Sequence, residues 1–306
     1  MSKKILSIDG GGVRGIIPAY ICMKIEEDYG KPIHNIFDFI SGTSTGAILG
    51  AALASGIPAE KIFQLYLNEP KRVFKSQHAW YLPWRYITRP KYNRDNLMRL
   101  TNDIYGNGTK IADTKVHFMC TSYNSMSQKN EFFTSWDDKY KDLLLVNAVG
   151  RSWSAPFYFG KWIEDGNDGH EKVVYSDGGV GIYNNTTIKT LMETSNLNWN
   201  NEDKYMLNLG CGHYFESFTF KEAVNWMNIK ELWHIVFNAK DARDNQIENL
   251  QKDFLGSLMV PKLDFHNYDP HIRRKIDTLD GVKYIDEYLD IANNMYKDID
   301  ISVLLR

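Results

Sequence analysis

One serine in this chain sits where a hydroxyl can become a nucleophile. Gly42-Thr43-Ser44-Thr45-Gly46 fits the pattern G-x-S-x-G. An apolar run of β type, Asn35 to Ile40, leads into it, and a small-residue helical run, Ala47 to Ser55, follows at once. Strand, tight turn and helix form the context in which this pattern presents a serine at a strained elbow. Gly42 and Gly46 remove the Cβ atoms that would clash as strand and helix fold against each other. The Ser44 hydroxyl then stands at a helix N-terminus, where the helix dipole favours developing negative charge. A second glycine-rich turn, Asp9-Gly10-Gly11-Gly12-Val13-Arg14-Gly15, lies between the strand-like Lys4 to Ile8 and a helix over about Ile16 to Tyr29. Gly10, Gly11 and Gly12 offer backbone N–H groups that no side chain obstructs, suited to an oxyanion. Arg14 either holds this loop in shape and neutralises a nearby anion, or is a solvated residue at the helix start.

The same turn also admits a competing chemistry. Gly10, Gly12 and Gly15 match G-x-G-x-x-G, the dinucleotide fingerprint, after a strand and before a helix. That fold wants a second strand ending in an acidic residue about 20 positions on. Here Asp38 is followed by Phe39 and Ile40, and the chain continues into the serine turn. Two consecutive βα units, one with a glycine loop and one with a serine elbow, suit acyl transfer better.

Together these two motifs resemble the N-terminal motifs of patatin-like phospholipases. A third motif of that family, Asp-Gly-Gly, is matched by Asp177-Gly178-Gly179 after the strand-like Glu171 to Tyr175. The resemblance covers roughly Lys3 to Gly210. It implies an α/β fold of three layers, α/β/α, with a mainly parallel central sheet, and a catalytic Ser-Asp dyad without histidine. In that reading Ser44 attacks a fatty-acyl ester, Asp177 is the base, and Gly178 and Gly179 let its carboxylate approach. The implied substrate is a phospholipid or another lipid ester, with no cofactor. Ser152-Trp153-Ser154-Ala155-Pro156-Phe157-Tyr158-Phe159 resembles the family's Ser/Ala-rich stretch but carries Trp153 where a small residue is usual, either narrowing the acyl pocket or filling the core. Some members are cyclic-nucleotide-activated effectors of bacterial anti-phage signalling and others are delivered into host cells. The resemblance therefore brings a small-molecule or protein activator into view.

The elements that must position these groups follow in order. Helices are expected over Pro58 to Asn68, Asn93 to Tyr105, Leu143 to Trp153 and Tyr183 to Thr194. Lys115 to Ser122 and Lys129 to Ser135 read as a pair of strands, and Asp203 to Leu209 as a further core strand. Beyond about Phe215 the chain reads as a helical cap or appendage (215–306): helical spacing over Phe220 to Phe237 and Asp241 to Leu255, a short edge strand over Lys262 to His266, and an amphipathic helix over Val282 to Tyr296. No repeat or linker divides the 306 residues, so one domain is expected, with its catalytic motifs within 9–179.

Composition narrows the classes further. A net charge of -2 gives no whole-chain drive toward nucleic acid. Three widely spaced cysteines suggest neither a disulfide framework nor a zinc site, and the acids and histidines lack metal-ligand spacing. The apolar run after the N-terminal lysines stops at Asp9, too short for a signal peptide, and no stretch reaches the length of a membrane span. The expectation is a cytoplasmic protein in peripheral contact with membrane. Lys71 to Arg94 carries bases and aromatics with no acid. Trp80, Trp84, Arg85, Arg89 and Lys91 are therefore candidates for an anionic lipid surface, ahead of single-stranded nucleic acid bound by stacking and phosphate contact and against the plainer reading of a loop covering the core. Two alternatives to the dyad stay open: a Ser-Asp-His triad using one of His213, His234, His266 and His271, or a non-catalytic nucleotide-binding module on the glycine loop of residues 10–15.

Overall fold

The structure is a computed structural model, and it describes residues 2–77, 89–166, 172–214 and 263–300 together with Ser302. Among these residues the strands are β1 (Lys3–Ile8), β2 (Phe39–Gly42), β3 (His117–Asn124), β4 (Lys129–Thr134), β5 (Trp162–Asp165), β6 (Lys172–Asp177), β7 (Lys204–Leu209) and β8 (Leu263–Tyr268). They join in one sheet of order β5-β6-β3-β2-β1-β7-β8, with β4 also paired to β3. From β8 to β3 the pairing is parallel. β4, β6 and β5 add antiparallel pairs at the other end. The sheet is thus mixed and mostly parallel, as the alternation of strands and helices in the N-terminal half implies.

The pairing of β3 explains how two distant motifs meet. β4 covers Met119 to Asn124 on one edge of β3. β2 pairs with His117 to Cys120 and β6 with Ser122 to Asn124. Each of these overlaps the β4 register, so β2 and β6 both lie on the opposite edge. β2 runs up that edge and ends with Gly42 opposite Cys120, while β6 runs down it and ends with Asp177 opposite Ser122. The two strands therefore meet end to end, with Ser44 just past one end and Asp177 at the other.

The longer helices are α1 (Ile16–Tyr29), α2 (Thr45–Ala54), α3 (Ala59–Asn68), α4 (Arg94–Tyr105), α5 (Leu145–Trp153), α6 (Thr187–Asn196) and α7 (Ile285–Asp298). Period-two alternation along β1 separates the two faces of the sheet. Leu6 and Ile8 enter the main apolar core with residues of α1, α2, α3, α5 and α7. Ile5 enters a smaller cluster with Phe39, Met119, Trp199 and Met206. On that second face α6 is tied to the sheet by buried hydroxyls. Thr186 meets both Ser7 and Ser41 at 2.9 Å, and Thr190 donates to Ser41 at 2.7 Å. α6 starts at Thr187 rather than Tyr183, because Tyr183 and Asn184 give their carbonyls to groups at the strand ends.

The sequence reading of 215–306 as a helical cap needs correction in its described part. β8 completes the sheet against β7, and α7 buries Tyr288, Ala292 and Met295 in the main core. The expected helices of 220–237 and 241–255 lie outside the described residues. A strap ahead of α7 reaches back to the glycine loop. Asp277 pairs with the buried Arg14, and the Leu279 carbonyl accepts the Val13 N–H at 2.8 Å. Asp280 accepts from Lys91, Tyr92 and Thr278. Burial acts to raise the Asp280 pKa, but these three hydrogen bonds together outweigh it and hold the carboxyl below its usual range. A carboxyl with a depressed folded-state pKa contributes stability that is full above its unfolded value and is lost as pH falls through the folded one. Asp280→Asn should therefore melt below wild type at neutral pH, and the gap should shrink as pH falls below about 4. Thermal melts of both proteins across acid pH measure this; a gap constant with pH would show that the ionised form contributes nothing.

Among the described residues no helix is long and apolar enough to cross a membrane.

Candidate active site

Ser44 takes φ +55° and ψ −119°, a backbone conformation that costs a non-glycine residue about 1–3 kcal/mol. The surroundings hold it there. Its N–H donates to Ser152 Oγ at 2.9 Å, and its carbonyl accepts from Ile48 N–H at 3.1 Å in the first turn of α2. The turn closes so tightly that a Cβ on Gly42 would lie 2.4 Å from the Gly46 carbonyl carbon, and one on Gly46 would lie 2.1 Å from the Ile8 carbonyl oxygen. The two glycines of the elbow are thus required by contact between backbones.

The Ser44 hydroxyl donates to Asp177 Oδ2 at 2.6 Å. The other carboxylate oxygen, Oδ1, accepts from Gly179 N–H at 2.8 Å, which fixes the plane of the carboxylate. Asp177 N–H donates to Ser154 O at 2.9 Å, so α5 and its C-terminal turn hold the backbone of both partners of the pair. Gly178 is required by close approach: a Cβ there would meet the Thr121 side chain at 2.1 Å and its carbonyl oxygen at 2.7 Å. Asp177 is buried beside the hydroxyl from which it accepts.

The glycine loop lies against the serine. A Cβ on Gly10 would sit 3.2 Å from Ser44 Cβ. The three glycines differ in their N–H groups. That of Gly10 donates to the Asn184 carbonyl at 3.4 Å. Those of Gly11 and Gly12 make no hydrogen bond among the described residues, and Gly12 lines the same cleft as Ser44. Gly12 has φ +61° and lies under the Leu279 carbonyl, where a Cβ would come within 2.1 Å. Gly15 has no room for a side chain beside Thr45. Arg14 is buried, with its Nε donating to Gly11 O at 3.4 Å and its guanidinium paired to Asp277. It holds the loop and is not a solvated helix-start residue. Removing Asp277 would leave that cation buried without its partner, a change worth about 3–5 kcal/mol.

From Ser44 and Asp177 an apolar cleft of about 760 Å³, mouth included, runs between α3, α4 and the end of α5. Ile48, Leu65, Leu97, Ile104, Phe159 and Leu279 are among its walls. Trp153 serves both roles that its sequence position suggests: it is 2% exposed in the core and lines the cleft. Tyr66 also lines it and bonds to Thr45, the residue after Ser44. Burial pushes the Tyr66 hydroxyl well up, so it stays protonated as a donor. Such walls suit hydrocarbon and offer a nucleotide few polar partners.

The competing readings fare differently. His213 bonds to Asp269 and His266 to Asp264, each at 2.8 Å, and His271 packs against the His213 ring. None of these three lines the cleft, and Asp177 already occupies the place beside Ser44 that a triad histidine would take. His234 lies outside the described residues. Asp38 precedes β2 and accepts from Lys4 N–H at 2.8 Å, so it sits at the strand end opposite the glycine loop. A strand of four residues spans roughly 13 Å, out of reach for a ribose contact beside that loop. Of the proposed lipid contacts, Trp80, Trp84 and Arg85 lie outside the described residues. Lys91 is engaged with Asp280, Arg89 is exposed, and the aromatics Phe74 and Tyr92 from the same stretch pack inward against Phe159. Among the described residues no group of three or more acids, histidines or cysteines is placed to hold a metal ion.

With serine, carboxylate and glycine loop in one cleft, the family can be stated. A model of the patatin-like phospholipases matches residues 6–192, more than half of the chain. The chain belongs to the patatin-like phospholipase family. Among similar proteins is patatin-like protein 2 of Arabidopsis thaliana, 28% identical over 314 residues that cover 90% of this chain and 76% of the relative. A cGAMP-activated phospholipase of Escherichia coli (strain TW11681) is 25% identical, covering 98% of this chain and 83% of that protein. A second cGAMP-activated phospholipase, of Pseudomonas aeruginosa (strain BWHPSA011 / Pa011), is 28% identical over 61% of this chain and 57% of the relative.

Within this patatin-like frame, sequence reasoning misses four supporting groups: Ser152, Tyr66, Asp277 and Leu279. Ser152 stands in the Ser/Ala-rich stretch, where a small hydroxyl after an apolar helix is a signal, though not for a bond to Ser44. The other three act through long-range contacts that no local pattern announces.

Proposed function

We propose that this protein is a serine acyl hydrolase that cleaves fatty-acyl esters of phospholipids through a Ser44-Asp177 dyad. The observation that carries the reading is the 2.6 Å hydrogen bond from the Ser44 hydroxyl to Asp177 Oδ2 at the head of an apolar cleft. A serine hydroxyl needs a base within hydrogen-bond reach to act at neutral pH. Asp177 takes the proton as Ser44 Oγ bonds to the ester carbonyl carbon. The carbonyl oxygen becomes an oxyanion that the N–H groups of Gly11 and Gly12 and the N-terminus of α2 stabilise. Asp177 then delivers the proton to the leaving alcohol, and the acyl group stays on Ser44. Water, deprotonated by the same carboxylate, attacks the acyl carbon; the bond to Ser44 Oγ breaks, Asp177 returns the proton to that oxygen, and the fatty acid leaves. Asp177 needs no third residue to orient it, because Gly179 N–H and the backbone of Ser154 already do so.

Lipid mass spectrometry after incubation with mixed phospholipid vesicles tests the class. Fatty acid and lysolipid should appear with wild type and not with Ser44→Ala. Equal product from both would remove Ser44 from the reaction.

A second reading concerns control. The Escherichia coli relative named as cGAMP-activated aligns over 98% of this chain, which supports a cyclic-nucleotide activator here. Hydrolysis of one lipid with and without a panel of cyclic di- and trinucleotides tests it, and identical rates throughout would reject it.

A further inference from the structure

An acyl chain that enters this cleft must leave a lipid surface, so the rim of the cleft has its own requirements. Among the described residues, few large apolar side chains are left exposed, and three of them, Phe157, Val180 and Ile182, lie within five positions along the chain of a residue that lines the cleft. Phe157 is 61% exposed, two positions after Ala155 and one before Tyr158, both of which line the cleft. Val180 and Ile182 are 44% and 48% exposed and follow directly on the Asp177 turn. Consecutive Cα atoms are about 3.8 Å apart, so Val180 lies within roughly 11 Å of Asp177 and Phe157 within roughly 8 Å of Ala155.

The path of the chain fixes their side of the molecule. After Asp177 the loop passes Thr121 in the middle of β3 and then the C-terminal ends of β2 and β1. The Tyr183 carbonyl accepts from Thr43 Oγ1 at 2.6 Å, and the Asn184 carbonyl accepts from Gly10 N–H. The inner residues of this loop are thus committed to the strand ends, while Val180 and Ile182 are exposed on it. They stand on the same edge of the sheet as Ser44.

Charge beside Phe157 points to one kind of surface. Its carbonyl accepts from Lys91 N–H at 3.0 Å, which places the exposed Arg89 next to it. Pro90 packs on Gly160, where a Cβ would lie 2.9 Å from Pro90 Cγ, and the exposed Lys161 follows. An exposed aromatic flanked by two exposed cations matches the interface of an anionic bilayer, with the ring at acyl depth and the cations among headgroup phosphates.

We infer that Phe157, Val180 and Ile182 form the face that docks on an anionic phospholipid surface, with Arg89 and Lys161 as its electrostatic rim. The inference rests on the phospholipase reading for its purpose but can be tested apart from it. The probes are vesicles of phosphatidylcholine alone and vesicles containing phosphatidylglycerol, sedimented with the Ser44→Ala protein so that no lipid is consumed. That protein should bind the anionic vesicles, more weakly as salt rises. Adding Phe157→Ser, Val180→Ser and Ile182→Ser together should weaken partition by about tenfold or more on either vesicle, because each side chain removes apolar area from the interface. Adding Arg89→Ser and Lys161→Ser instead should weaken binding only to the anionic vesicles and flatten its salt dependence.

Thermal melts check that each protein is folded. If the triple variant is not, Phe157→Ser and Val180→Ser are measured singly, with a loss on the order of threefold expected from each. Unchanged binding after loss of the apolar groups, or no binding of the Ser44→Ala protein to any vesicle, overturns the inference and leaves the face to a protein partner. Turnover of a soluble short-chain ester by the otherwise wild-type chain reports separately on the hydrolase. Patch-dependent vesicle binding without esterase activity would keep the docking face and reject the proposed reaction.

Discussion

Ser44→Ala should lose at least about 10⁴-fold in turnover of a short-chain ester while remaining folded. The loss is large because the acyl intermediate has no other atom to form on: the Ser152 hydroxyl, which touches this residue, spends its oxygen on the Ser44 N–H. The fold should survive because the Ser44 side chain does not cap α2 and its hydroxyl bonds to Asp177. Alanine inherits the positive φ, so the strain of the elbow stays but gains nothing new. Two measurements together check this: ester hydrolysis beside a thermal melt, and the site of labelling by a fluorophosphonate. Label on a different residue, with Ser44→Ala still active, would sink the assignment.

Asp177→Asn is expected to lower the rate by about a hundredfold or more, within the 10²–10⁴ range of general-base contributions and so at least about 2.7 kcal/mol of barrier. Asparagine keeps the size of the side chain, and its carbonyl can still accept from Gly179 N–H. It then turns an amide toward Ser44, a group that donates and cannot take a proton. The shape of the site is preserved and only the proton acceptor is lost, so kcat should fall with little change in KM. A near-wild-type rate would reduce Asp177 to a turn residue. Restored activity in Asp177→Asn at strongly alkaline pH would agree with the assignment, since hydroxide can then replace the base.

Much of this site is legible in the amino-acid sequence, for a physical reason. Ser44, Gly42, Gly46, Asp177 and Gly178 satisfy local demands: a tight turn, backbones in contact, a strand that ends at its functional residue. Such demands leave marks within a few neighbouring positions. The strands and most helices are legible on the same ground, through alternation and helical spacing. What stays hidden depends on contacts between remote parts of the chain. No spacing shows that the Gly10 N–H turns to Asn184 while its two neighbours do not. None shows that Arg14 is buried by Asp277, more than two hundred residues on. The described part of the C-terminal segment is hard to place for the same reason. Leu263–Tyr268 is a recognisable strand, but only pairing with β7 makes it part of the sheet.

The end-to-end meeting of β2 and β6 along β3 has a consequence for how this enzyme can vary in length. β3 acts as a ruler, with the strand that leads to Ser44 stopping opposite Cys120 and the strand that ends at Asp177 stopping opposite Ser122. One residue gained or lost within that interval would change the gap between the two groups by about a peptide repeat and turn one of them to the opposite face of the sheet. The hairpin beyond Asn124 lies past both marks. Insertions there lengthen the molecule without touching the gauge. Descendants of this chain are free to acquire new loops at that end, while the few residues along the ruler admit almost no change of length.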